Sequence, residues 1–205
     1  MIFVRYENWR SFIKFYPVST LLIAANVILF IVVALNGGTT DTMTLLRFGA
    51  LTNAEGFSDQ IWRILASMFL HAGFSHLLFN CFALIVFAPP MERLLGSIRY
   101  FLLYMVSGIL SNVISIGYYD RMGELLLSVG ASGAIYGIYG AFVYVALLQK
   151  NLLDESSRKT LYALLIFGII YSLISDNVNW VGHFGGLISG FFTYGIIIRL
   201  FKRRL

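Results

Sequence analysis

Six apolar stretches dominate this chain, at residues 18–35, 75–88, 99–117, 132–149, 161–175 and 181–200. A helix needs about 20 mostly apolar residues to cross the hydrocarbon of a bilayer, and there its backbone must bond to itself because no water is available. The pattern predicts an all-α, polytopic membrane protein with six transmembrane helices. Composition agrees: 59% hydrophobic residues against 12% charged leave too little polar surface for a soluble domain, which is about a quarter charged. Pro89-Pro90 is read as the stop of the second span, because proline cannot continue a helix. The first stretch has signal-peptide flanks but no clear small-residue cleavage site after it, so it reads as an uncleaved span. The chain reads as one membrane domain, 1–205, with a cytoplasmic segment 1–17 and a long outer loop 36–74.

The placement of charge supplies the topology. With the N-terminus inside, twelve of the 15 Lys and Arg residues fall on the inner side: Arg5, Arg10, Lys14, Arg93, Arg99, Lys150, Arg158, Lys159, Arg199, Lys202, Arg203 and Arg204. Only Arg47, Arg63 and Arg121 fall outside. Both termini are therefore expected in the cytoplasm, and the net charge of +5 encodes orientation rather than nucleic-acid binding. The lone Cys81 excludes an intrachain disulfide. The outer loop is long for a connection, and its Trp62 and apolar patches predict short helices lying in the outer interface. Trp180 is expected at that interface too, and Trp9 at the inner one.

Polar groups inside a bilayer are costly, so each is a functional hypothesis. The three histidines are His71, His76 and His183; His76 stands four residues before Asn80, on one helix face. Ser132 opens the fourth span and His183 lies near the start of the sixth. Even-numbered spans run inward, so His76, Asn80, Ser132 and His183 all reach the outer end. From Ser132 to Lys150 a helix rises roughly 27 Å, and from His183 to Arg199 roughly 24 Å, which puts both side chains a little below the outer surface. Glycines let the two helices touch: Gly133, Gly137 and Gly140 on the fourth, Gly182, Gly186 and Gly190 on the sixth. A serine within reach of a histidine is the nucleophile and base of acyl-transfer chemistry. The Ser132 backbone N–H, at a helix N-terminus, and the side chains of His76 and Asn80 are candidate oxyanion donors.

Five strings now carry a resemblance: Trp62-Arg63, HAGFSHLLFN (His71 to Asn80), ERLLGS (Glu92 to Ser97), GASGAIYG (Gly130 to Gly137) and GHFGGLISG (Gly182 to Gly190). In that order the chain resembles the rhomboid family of intramembrane serine proteases, over nearly its whole length. The resemblance implies a Ser–His dyad with no third acid that cleaves transmembrane helices of other proteins. Ser132 would be the nucleophile and His183 the base, with His76 and Asn80 in the oxyanion hole. Tyr136 would stack on His183, Arg63 would order the outer loop, Glu92 the inner loop, and His71 would be structural or water-binding. Gly130, Gly133 and Gly186 are the supporting glycines. Gly182 stands where alanine is common in the family, and Arg93 follows Glu92 one position earlier than is familiar.

The expected function is thus a serine endopeptidase of the cell membrane, its site open to the outer side, acting on transmembrane-helix substrates within the lipid bilayer. Substrates should carry helix-weakening residues near the outer interface. No cofactor, nucleic acid or metal is expected: the HExxH helix of metalloproteases is absent, and no outer acid near a histidine clearly supplies a carboxylate ligand. Aspartyl chemistry would need two intramembrane acids, and only Asp176 comes near the outer ends of spans five and six. A rhomboid-like protein that binds unstable membrane helices without cutting them is the alternative, but it would not need the Ser132 and His183 pair. A transporter would show repeats and midplane breaks, which this sequence lacks.

Overall fold

The computed structural model describes residues 6–57, 59–174 and 178–201. Arg5, Ser175, Asp176, Lys202, Arg203 and Arg204 lie outside the described residues. The chain is a helical bundle. A short α1 (Trp9–Phe15) leads into α2 (Pro17–Leu35), and the outer loop holds α3 (Thr42–Phe48), β1 (Leu51–Thr52) and α4 (Arg63–Ala66). The long helices α5 (Phe74–Leu95) and α6 (Ser97–Met122) follow, then β2 (Leu127–Ser128), α7 (Ser132–Leu148), α8 (Glu155–Ile174) and α9 (Trp180–Leu200). Among the described residues, α2, α5, α6, α8 and α9 are long and apolar enough to cross a membrane, and α7 is a shorter apolar helix of 17 residues. With its six apolar helices, the protein is an integral, multi-pass membrane protein.

α7 forms the centre. Most of its residues are buried, and it packs against α9, α6 and α5. Water does not drive helices together inside lipid, so close packing has to hold them. Small residues supply it here. A Cβ on Gly186 or Gly190 of α9 would overlap the carbonyl oxygen of Gly133 or Gly137, and one on Gly140 would overlap that of Leu187. Against α6, Gly133 and Gly137 accommodate Ser111 and Ser107. Toward the other side, Phe87 of α5 meets Tyr139 edge-on at 4.6 Å.

Three boundaries differ from the sequence reading: α6 continues past residue 117 to Met122, α8 begins at Glu155 rather than at 161, and the end of α5 lies beyond its prolines. α5 does not stop at Pro89-Pro90 but runs through both to Leu95. Each proline lacks an N–H and costs about 3 kcal/mol in a helix interior. The last turn of α5 offsets this with a buried Glu92 whose carboxylate accepts from the backbone N–H groups of Val18 and Ser19, at 3.0 and 2.8 Å. It also accepts from the hydroxyls of Ser19 and Ser97, at 2.6 and 2.7 Å. The carboxylate caps the N-terminus of α2, where the helix dipole favours negative charge. Asp41 caps α3 through Thr44 in the same manner, and that hydroxyl and amide hold its carboxyl below the usual range.

The outer loop is a folded unit. Arg63, buried, donates to the carbonyls of Leu46 and Ala50 at 2.6 and 3.1 Å and lies over the rings of Phe57 and Trp62. Its two-residue strand β1 pairs antiparallel with β2, Leu51 opposite Ser128. This fixes the loop to the segment that leads into α7.

Candidate active site

The entry to α7 is set by Gly130, whose φ of +128° few other residues adopt. Its N–H donates to the Ser67 carbonyl at 2.9 Å. Bulk is excluded there too: a Cβ on Gly130 would lie 2.8 Å from the His76 ring and 3.7 Å from the Ser132 hydroxyl oxygen. His76 and Ser132 therefore border the same small space. Ser132 is the first residue of α7, so its backbone N–H has no acceptor inside the helix and points out of its N-terminus.

The start of α9 is held by side chains that the sequence reading passed over. Asn179 caps it, accepting from the Gly182 N–H at 2.9 Å, while its amide donates to Ser115 and Ser128. Ser111 donates to the Gly182 carbonyl at 2.7 Å. These bonds immobilise the turn that carries His183. Their signal was present in the four-residue spacing of Ser107, Ser111 and Ser115, which makes one polar stripe on an otherwise apolar helix.

His183 is 8% exposed. Its ring stacks on Tyr136, centroids 4.2 Å apart and planes 12° from parallel. Tyr136 is one turn beyond Ser132 on α7, so the stack brings the imidazole alongside the turn that Ser132 opens. Its Nδ1 lies 2.6 Å from the hydroxyl of Ser172, on α8. Among the described residues, neither the Ser132 hydroxyl nor Nε2 of His183 takes part in a hydrogen bond.

Other candidates take separate places. Asn80 turns its amide back to the His76 carbonyl at 2.9 Å, one turn earlier on α5. His71, just outside α5, is buried with its ring edge-on to His76 at 5.1 Å. Burial, and then the neighbouring His76, press its pKa down to about 3. Arg63 belongs to the outer loop, and Glu92 stands sixteen residues along α5 from His76, roughly 24 Å away. Gly133 and Gly186 form the crossing itself. Ser172 was not anticipated; the small pair Gly168 and Ser172, four apart, was its one sequence signal. Among the described residues, no three His, Cys, Asp or Glu side chains gather as metal ligands would.

The Rhomboid domain family matches this chain over residues 58–200. The chain is 36% identical over 207 residues to the protein named "Putative rhomboid protease YdcA" of Bacillus subtilis (strain 168), covering 99% of this chain and 100% of that one. It is also 36% identical over 173 residues to rhomboid protease GluP of the same organism, which covers 84% of this chain and 33% of that protein. A third relative, rhomboid-type serine protease 2 of Emericella nidulans, is 35% identical over 142 residues, 69% of this chain and 27% of that one.

Proposed function

This chain belongs to the rhomboid family, and from that premise we propose that it is an intramembrane serine endopeptidase in which Ser132 is the nucleophile and His183 the base. The observation that carries the reading is the Tyr136–His183 stack beside the glycine crossing of α7 and α9. It holds an imidazole next to the helix turn that begins with Ser132. Nε2 and the hydroxyl, neither of them in a hydrogen bond among the described residues, are the two groups the chemistry requires.

In the reaction, Nε2 takes the Ser132 proton as Oγ bonds to the scissile carbonyl carbon. The tetrahedral oxyanion is met by the Ser132 backbone N–H, His76 and Asn80. The carbon–nitrogen bond then breaks, and the leaving amine takes the proton from Nε2. Water, giving a proton to Nε2, attacks the acyl ester, and the proton returns to Ser132. The peptide must be unwound before attack, because a helix ties up and covers its own carbonyls. Suitable substrates are transmembrane helices weakened by Gly, Pro or polar residues near the outer interface; a small residue before the cut is what the likeness to the rhomboid family implies. The excess of basic residues on inner segments supports cytoplasmic termini and a site facing outward from the cell membrane.

The test is incubation of purified protein with single-span substrates and a fluorophosphonate probe. Wild type is expected to cut and to be labelled at Ser132, and Ser132→Ala to do neither. Appreciable turnover by purified Ser132→Ala protein would sink the assignment.

A further inference from the structure

We infer that Ser172 is a positioning residue that determines which nitrogen of His183 carries the proton. The inference rests on the dyad assigned above. The Ser172 hydroxyl oxygen makes three close contacts: 2.6 Å to Nδ1 of His183, 2.8 Å to the Tyr136 phenol oxygen and 2.8 Å to the Gly168 carbonyl. A serine has one proton to donate and two lone pairs to accept with. The Gly168 carbonyl has no proton of its own, so its contact is a hydrogen bond only if Ser172 donates to it. The two lone pairs then accept the Tyr136 O–H and the His183 Nδ1–H. No other distribution of protons makes all three contacts hydrogen bonds. Any alternative sets two lone pairs face to face at less than 3 Å in a buried site, where water cannot relieve them.

The consequence falls on the opposite edge of the ring. With the proton held on Nδ1, the lone pair of a neutral imidazole is on Nε2, the nitrogen that must accept from Ser132. When the ring takes a second proton during attack, Nδ1–H keeps its acceptor. A hydroxyl thereby does the orienting that a carboxylate does in a Ser-His-Asp triad. Inside a bilayer the neutral group is the cheaper one to bury.

The same residues seat α8. It is the least buried of the five long apolar helices, and a Cβ on Gly168 would stand 2.8 Å from the Tyr136 hydroxyl. Gly168 and Ser172, one turn apart, are thus the point where α8 meets the dyad. The orientation of the base depends on that seat.

The experiment is nitrogen-15 NMR of ring-labelled histidine in detergent-solubilised full-length protein at neutral pH. With three histidines in the chain, His71→Gln and His76→Gln identify the His183 signals. In wild type, Nδ1 of His183 is expected to carry the proton and Nε2 to be bare. In Ser172→Ala, the proton should move to Nε2 in a large part of the molecules. For this variant kcat should fall by at least about 10-fold, with about 10⁴-fold, the cost of a wrong tautomer in a triad, as the upper bound. KM should hold, because Ser172 touches the base and not the substrate. Ser172→Thr keeps the hydroxyl and should restore both the tautomer and kcat.

A wild-type spectrum with the proton on Nε2 overturns the inference, even if Ser172→Ala fails to fold. So does a folded Ser172→Ala protein whose tautomer and kcat match wild type. Both readings come from resting enzyme or from Ser172 alone. Failure of the dyad itself would instead appear as turnover by Ser132→Ala.

Discussion

Gly186 of α9 lies so close to the carbonyl oxygen of Gly133 in α7 that a Cβ at position 186 would overlap it. The atom in the way belongs to the backbone, so no side-chain rotation can relieve the conflict. Gly186→Val must therefore separate the two helices, and Gly133 is the residue next to the proposed nucleophile. Overpacking typically costs about 1–3 kcal/mol, and the separation also forfeits dispersion contacts along the crossing. The variant should lose activity and unfold at a lower midpoint in detergent, whereas Ser132→Ala should lose activity alone. A Gly186→Val protein with wild-type midpoint and activity would show that the crossing is not made there.

At the other end of α5, Glu92 serves structure rather than chemistry. Its carboxylate collects four donors from α2 and from the start of α6, and hydrogen bonds to a charged group are worth about 1.5–3 kcal/mol each before cooperativity and relaxation. Glu92→Ala leaves buried N–H and O–H groups unsatisfied and should cost several kcal/mol in thermal or denaturant unfolding. Glu92→Gln keeps one acceptor oxygen and should lose less. At temperatures where the variants stay folded, turnover should be near wild type, since Glu92 stands roughly 24 Å along α5 from His76 and the proposed site.

Acid should weaken the fold through His71. Its pKa is about 3 in the folded protein, against an ordinary 6.5, so the unfolded chain binds a proton that the native state refuses. Stability from this source is complete above about pH 6.5, declines as pH falls, and is fully lost below about pH 3. A midpoint series from pH 7 to pH 4 should fall more steeply for wild type than for His71→Gln, which has no ring to titrate. Parallel curves would mean that the ring takes up its proton without strain.

The elements that sequence exposed best are those whose physics is local. Ser132, His76 and His183 stand out because polar groups in apolar stretches are few, and the glycine spacing of α7 and α9 pointed to the crossing that the structure contains. Pro89-Pro90 misled because a local rule against proline was outweighed by a distant contact: Glu92 reaches residues more than seventy positions earlier. Ser172 was illegible for a related reason. One serine among many in an apolar helix becomes distinctive only when the rotation of α8 brings it to Nδ1, and that rotation follows from packing at Gly168 rather than from any pattern around the serine.

Asn80 divides its amide between two tasks on the proposed mechanism. One N–H is turned to the His76 carbonyl in the resting structure, and the second is available to a developing oxyanion. Asn80→Ala should lower kcat by about 10²-fold or more, the usual effect of losing one oxyanion donor. Activity should remain detectable, because His76 and the Ser132 amide persist. If the variant matches wild type at every substrate concentration, the donor role is wrong and the bond to His76 is its whole function.

The strictest demand on the dyad concerns additivity. If Ser132 and His183 act as one unit, removing the hydroxyl leaves the imidazole with no proton to take, and removing the imidazole leaves a hydroxyl too weak to attack. The single variants Ser132→Ala and His183→Ala should then be about equally inactive, and the double variant no worse than either. Independent contributions would instead multiply, making the double variant slower by the product of the two losses. Measuring all three against wild type with one substrate separates the cases, provided each protein keeps its unfolding midpoint. Ser132→Ala should keep it, since that change removes one oxygen with no hydrogen bond among the described residues. His183→Ala gives up the Tyr136 stack and the Ser172 contact and should unfold somewhat earlier, so its rate is to be read well below that midpoint. A multiplicative loss there would mean that the two side chains do not share one proton.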